Sequence, residues 1–186
     1  MTVPLARTPA EAHLYMDISP CACGETQLAR DSTLLASGDD MLRQYAGACP
    51  RCGAAREFLF RLPAMPTPSS PGRVSFGGDE PSELLDPGQW LWVAEAYADL
   101  HPADPADFAP GEAQRARADL EYALAAVDEV VKFVPAGAQA VPESAFRSER
   151  GRAAYQREPY RFGLAVLVAV RDTYRDLLGR LDPGVR

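Results

Sequence analysis

Basic residues other than arginine are nearly missing from this chain. It has two histidines, His13 and His101, and one lysine, Lys132, among 186 residues. So little histidine leaves scant material for imidazole acid–base chemistry. His101 also has a structural reading, as an imidazolium suited to a helix C-terminus. A lone lysine raises the thought of Schiff-base chemistry, but Lys132 falls in a helical stretch and is expected to face solvent. The preference for arginine reads as GC-rich coding in a bacterial gene. No G-x-x-x-x-G-K-[ST] or G-x-G-x-x-G pattern occurs, so nucleotide binding has no support. The longest apolar run, 162–170, is far short of the ~20 residues a membrane helix needs. Met1 to Ala10 has no apolar stretch of the kind a signal peptide carries. A cytoplasmic location is therefore expected, where thiols stay reduced.

Positive charge is also in deficit. The net charge is −7, and most of the imbalance lies in the middle: residues 63–110 carry one arginine against eight acids. Phosphate backbones repel such a chain, which argues against broad nucleic-acid binding. The acidic stretch 76–110 fits either a solvated surface or a docking face for a basic partner.

Turn signals and periodicity divide the chain. Thr8-Pro9-Ala10-Glu11 opens a short helix to about Asp17, with Glu11 at the capping-box position. Residues 25–35 read as a strand, Ser37-Gly38-Asp39-Asp40 as a turn, 41–48 as the return strand and 57–62 as a third strand. Residues 63–75 hold four prolines with serine and glycine, which suits a linker. From 76 to 186 the pattern is helical. Asp79 and Asp86 look like caps, and Asp86 starts a helix through about Leu100. The face Ala116, Leu120, Leu124, Val127, Val131 and Val134 marks a helix over 111–134. A shorter helix spans 148–158. A last one runs from Pro159 to about Leu181, with Phe162, Val166, Ala169, Val170, Tyr174, Leu177 and Leu181 inward, and it is expected at the centre of the bundle. The expected architecture is α+β: residues 1–62 as a short helix with a three-stranded antiparallel sheet, 63–75 as the joint, and 76–186 as a helical bundle.

The four cysteines carry the clearest chemistry. Cys21-Ala22-Cys23-Gly24 and Cys49-Pro50-Arg51-Cys52-Gly53 flank the first two strands. A glycine after each pair lets the turn take positive φ and aim amides at the sulfurs. Two such turns present four thiolates to one tetrahedral ion, so a structural Zn²⁺ is expected on Cys21, Cys23, Cys49 and Cys52. In a mixed shell, His13 or Asp17 would replace one of the first pair. Turn, hairpin, turn and third strand together make residues 20–62 resemble the zinc-ribbon superfamily. That resemblance implies a structural metal in a module that touches other proteins or nucleic acid. A cytidine-deaminase-type site would need a His-x-Glu or Cys-x-Glu pair before a Pro-Cys-x-x-Cys, and Ala48 stands before Cys49.

Elsewhere the candidates are weaker. Trp90 lines up with Val93, Ala94 and Tyr97 and is expected inside, which leaves Trp92 for a contact surface. Arg147, Arg150, Arg152 and Arg157, interleaved with Tyr155, form a basic, aromatic stretch that could meet an acidic protein surface. The reading is a zinc-stabilised, non-enzymatic module that binds another protein as an adaptor, regulator or immunity-type neutraliser. The alternatives are an enzyme with a site built from Glu83, Asp86, Glu143 and Arg150, and a zinc-ribbon nucleic-acid binder.

Overall fold

A computed structural model describes residues 3–28, 31–65, 74–102, 104, 108 and 111–181. The fold is α+β, with an N-terminal three-stranded antiparallel sheet followed by helices. Two compact units result, Met1–Ser69 with Phe76–Leu85, and Asp86–Arg186 with Ser70–Ser75.

In the first unit, helix α1 (Pro9–Asp17) starts where Thr8 accepts the amide of Glu11. Glu11 does not close a capping box. Its carboxylate reaches one residue further back, to the Arg7 amide at 2.8 Å, and pairs with the Arg7 guanidinium at 2.7 Å. Strands β1 (Ser32–Ser37), β2 (Asp40–Ala48) and β3 (Ala55–Arg61) pair in sequence order, and Ser37 opposite Asp40 closes a two-residue turn. β1 begins later than the sequence suggests. The Thr26 and Gln27 carbonyls ahead of it accept from the Arg56 guanidinium, at 3.2 and 3.3 Å, so they are spent before any ladder forms. Tyr15 meets Phe58 and Phe60 edge to face, and His13 meets Tyr45, so α1 packs on the sheet.

The segment Phe76–Leu85, grouped by sequence with the helical half, packs in this first unit. Thr8 Oγ1 donates to the Phe76 carbonyl and Ser82 Oγ to Glu11 at 2.6 Å. Asp79 caps no helix here. Residues 66–73, the heart of the expected joint, lie outside the described residues.

In the second unit, α2 (Pro87–Ala98) carries a full capping box from Asp86 and Gln89. Helix α3 (Ala113–Val131) packs on both α2 and α5 (Leu164–Arg180), and α4 (Glu149–Arg157) packs on α2. Trp90, Val93 and Ala94 from α2 meet an α3 face of Ala116, Leu120, Ala123, Val127 and Val130 in the core. The α3 face is rotated from the expected one: Leu124, Val131 and Val134 are only half buried, because Ala123 and Val130 occupy the inner line. The α5 helix is likewise not central. A 3-10 turn over Pro159–Phe162 precedes it, Leu167 is its one buried residue, and Val166 and Ala169 face outward. No helix among the described residues is long and apolar enough to cross a membrane.

Candidate metal centre

Each cysteine turn closes on the amide of the glycine that follows it, over three residues in the first and four in the second. The Gly24 amide donates to the Cys21 carbonyl at 2.8 Å, and the Gly53 amide to the Cys49 carbonyl at 2.9 Å. Both glycines sit at positive φ, 88° and 73°, where a Cβ would be strained. The Cys49 amide bonds the Ala54 carbonyl, so β2 runs directly through the second turn into β3. The first turn has no strand on its far side. Two arginines anchor it: Arg51 donates to the Cys23 carbonyl at 3.0 Å, and the buried Arg56 donates to the Ser19, Thr26 and Gln27 carbonyls. Neither arginine carries a sequence signal for this role. The buried acceptors are backbone carbonyls, which any residue offers.

These contacts bring the four sulfurs together. Cys21 and Cys52 lie 3.7 Å apart, Cys23 and Cys49 3.6 Å, and all four sulfurs fall within 4.8 Å of one another. The pairs are far too long for disulfides, which need ~2.05 Å. One central ion with metal–sulfur legs of ~2.3 Å would space its ligands by roughly 3.8 Å, so the cluster has the size of a single tetrahedral metal site. Cys49 is buried, Cys21 and Cys23 are half buried, and Cys52 is exposed. Burial opposes ionisation of Cys49, yet amides of Cys52 and Arg51 and thiols of Cys23 and Cys52 bring it down to about 6. A hydrogen bond from the Glu25 amide favours the Cys23 thiolate, but burial and the neighbouring sulfurs push that thiol up to about 12. His13 is not part of the group, since its Nε2 meets the Tyr45 hydroxyl at 3.3 Å.

The other candidates are placed in the second unit, with one exception. Trp90 is fully buried and Trp92 is 38% exposed. The Arg150 guanidinium lies 4.1 Å above the Trp92 ring. Arg147, Arg152 and Arg157 are exposed as well, and Arg152 donates to the Arg147 carbonyl. Tyr155 stacks on Phe146, with ring centroids 4.6 Å apart. Beside them Glu143, Phe146, Arg152, Tyr155 and Gln156 line an open hollow of about 130 Å³.

The residues weighed for a scattered catalytic site are engaged separately. The exception, Glu83 of the first unit, accepts from the Leu5 amide and pairs with Arg61. Asp86 is buried and accepts three amides, from Gln89, Arg147 and Ser148. Arg150 is stacked on Trp92, and Glu143 is at the hollow. Lys132, expected at the surface, is mostly covered and pairs with the buried Glu129 at 2.5 Å. His101 is held by carboxylates and not by a helix end: Nδ1 meets Glu112 at 3.0 Å and Nε2 meets Asp119 at 2.7 Å.

Comparison of the chain with protein-family models, with curated proteins and with solved structures finds no significant match.

Proposed function

We propose that this protein is a zinc-stabilised, non-enzymatic module that binds an acidic surface of another protein. Zinc is the ion the donor set suits. Four thiolates are soft ligands in a tetrahedral arrangement, and four of them close the shell and leave no position for water or substrate. The metal's task is then structural, in the manner of a zinc ribbon. The clustered cysteines and the three-stranded antiparallel sheet are compatible with that family, while the Cys21-Ala22-Cys23 turn departs from its usual two-residue spacing.

The binding half of the reading rests on one observation, the Arg150 guanidinium stacked on the exposed ring of Trp92. Stacking orients the guanidinium and reduces the side-chain entropy lost when a carboxylate docks on it. Arg157, two turns on from Arg150, lies on the same side of α4, and Arg152 on α4 and Arg147 just ahead of it are also exposed. Such a face selects partners by charge and contributes chiefly to association rate and specificity.

The test uses the full chain as purified. Elemental analysis should find one zinc per chain, and a chain without stoichiometric metal overturns the metal half. The immobilised chain should retain one stoichiometric protein from its source cell, released by raised salt. The Arg150→Glu variant, with zinc content unchanged, should lose that protein. Equal retention by Arg150→Glu, or a reproducible turnover activity in place of a partner, overturns the binding half.

A further inference from the structure

The two edges of the first unit's sheet are treated differently. The outer edge of β3 is capped at its end, where the Arg61 amide donates to the Pro4 carbonyl and the Ala6 amide to the Arg61 carbonyl. Among the described residues none pairs with the outer edge of β1, and all six of its residues are exposed.

Hydrogen-bond parity says what that edge offers. The Met41 carbonyl accepts from the Leu62 amide, so Met41 and alternate residues of β2 turn toward β3. Asp40, Leu42 and Gln44 therefore turn toward β1 and bond their partners Ser37, Leu35 and Thr33. Ser32, Leu34 and Ala36 are left with amides and carbonyls pointing away from the sheet. Monomeric proteins blunt such edges with charge, proline or a bulge. Ser-Thr-Leu-Leu-Ala-Ser has no charged residue and no proline, and its pairing with β2 runs without a bulge. Apolar side chains crowd the same place: Leu34 is 53% exposed and Met41 46%.

We propose that two copies of the chain join edge to edge through β1, forming one six-stranded antiparallel sheet with the two-fold axis at Leu34. Antiparallel pairing matches outward-pointing residues only with outward-pointing ones, so a symmetric register must centre on a single residue. Centring on Leu34 sets Leu34 against Leu34 of the second copy, Ser32 against Ala36, and Thr33 against Leu35. Leucine meets leucine at the axis, no like charges face each other along β1, and the contact closes as a self-complementary dimer. An edge of six residues sits at the low end of interface sizes, so the dimer depends on concentration. Each copy carries −7, so screening favours assembly.

Sedimentation equilibrium of the zinc-loaded full chain, from about 5 to 500 µM, tests this over the range where small interfaces dissociate. The mass should rise from 20.1 kDa toward twice that value, and association should strengthen with salt, opposite to the salt response expected of the α4 surface. Ala36→Pro removes an outward amide that β2 does not use, and Leu34→Arg sets two cations against each other at the axis. Both should keep their zinc and lower the association constant at least tenfold. Amide exchange of the unaltered chain adds a readout independent of variant folding. Ser32, Leu34 and Ala36 should exchange fast when dilute and slow when concentrated, while Thr33, Leu35 and Ser37 stay protected at both. A monomer throughout, including one that takes up a different protein's strand, overturns the proposal. So does association weakened by salt, or exchange without the alternation.

Discussion

The first unit buries Leu14, Met16, Tyr45, Phe60 and Phe76, and among its described residues the buried polar side chains are Arg7, Glu11, Arg56 and Ser82. In the second unit the inside is Trp90, Val93, Ala94, Ala123, Val127 and Val130, with Asp86 and Glu129 as the polar members. The difference follows from the elements available. Long helices bring whole apolar faces together, and burial at roughly 25 cal/mol per Å² accumulates along them. One nine-residue helix on a three-stranded sheet cannot accumulate as much. The first unit therefore relies on discrete, directional links: a cysteine cluster, a buried ion pair and arginines that tie down carbonyls. Links of this kind fail singly and abruptly, whereas a packed core loses stability by degrees.

The largest expected effect is loss of the metal. Binding to a four-thiolate site is worth roughly 10 kcal/mol or more and is coupled to folding. Chelation, or Cys49→Ser at the buried corner, should abolish the dispersed amide resonances of β1 to β3 while the far-UV signal of α2 to α5 persists. If the helices melt as well, the two units are a single cooperative body and the contrast drawn above is wrong. Next comes Glu11→Ala. It leaves the Arg7 guanidinium, 6% exposed, without its carboxylate, and removes the acceptor of Ser82. A cost of about 3–5 kcal/mol is expected. Chemical denaturation followed by Tyr45 or Phe60 signals should register it, and Trp90 fluorescence should not. Replacing both partners, Arg7→Met with Glu11→Leu, should recover the part of the loss due to the unpaired guanidinium, but not the part due to the Ser82 hydroxyl and the residue 7 amide.

The second unit also has links of the directional kind, and one of them joins two helices. Asp86 caps α2 through the Gln89 amide and also holds the start of α4 through the Arg147 and Ser148 amides, at 2.9 and 2.6 Å. The start of α4 comes so close to the Asp86 carboxylate that a Cβ on Gly151 would stand 2.3 Å from its oxygens. Asp86→Ala should cost about 3 kcal/mol, since buried amides lose an ionised acceptor. Gly151→Ala should cost about 2 kcal/mol by overpacking. Both should move the Trp90 transition and spare the metal centre.

How much of this is legible in the sequence depends on how local the interaction is. The two cysteine turns, the Asp86 cap and the separate fates of Trp90 and Trp92 are set by neighbours within a few residues, and the residue pattern shows them. The attachment of Phe76–Leu85 to α1 is not visible, because it runs from Ser82 to Glu11, 71 residues away, and the one motif that includes Glu11 points to a local cap on Thr8 instead. The same holds for Arg56, whose acceptors are carbonyls. The α3 face was misjudged for another reason. Alanine and valine both satisfy the 3.6 period, so Ala123 with Val130 and Leu124 with Val131 are equally good stripes until the packing of α2 selects one. For α5 the continuous apolar run gives no preferred side, and the Pro159–Phe162 turn sets how it meets α3.

The smallest effect separates the units by pH. An imidazole bonded to carboxylates at both nitrogens must carry both protons, and Asp119 first, then Glu112, raise the His101 pKa above 6.5 against the opposing cost of burial. A folded pKa above the unfolded one means that the charged form stabilises the native state. That contribution is complete below about pH 6.5 and is lost as pH rises through the folded value. The second unit should therefore lose stability on the alkaline side, by on the order of 1 kcal/mol because the groups are only partly shielded from water, and its melting temperature should fall with it. His101→Gln should lower the plateau and flatten the decline. The Arg7–Glu11 link in the first unit should show no such limb, because arginine keeps its charge throughout this range. Thermal melts of both proteins from pH 5 to 9, read at Trp90 for one unit and by metal release for the other, check this. An alkaline limb that survives His101→Gln would place its origin elsewhere in the helical unit.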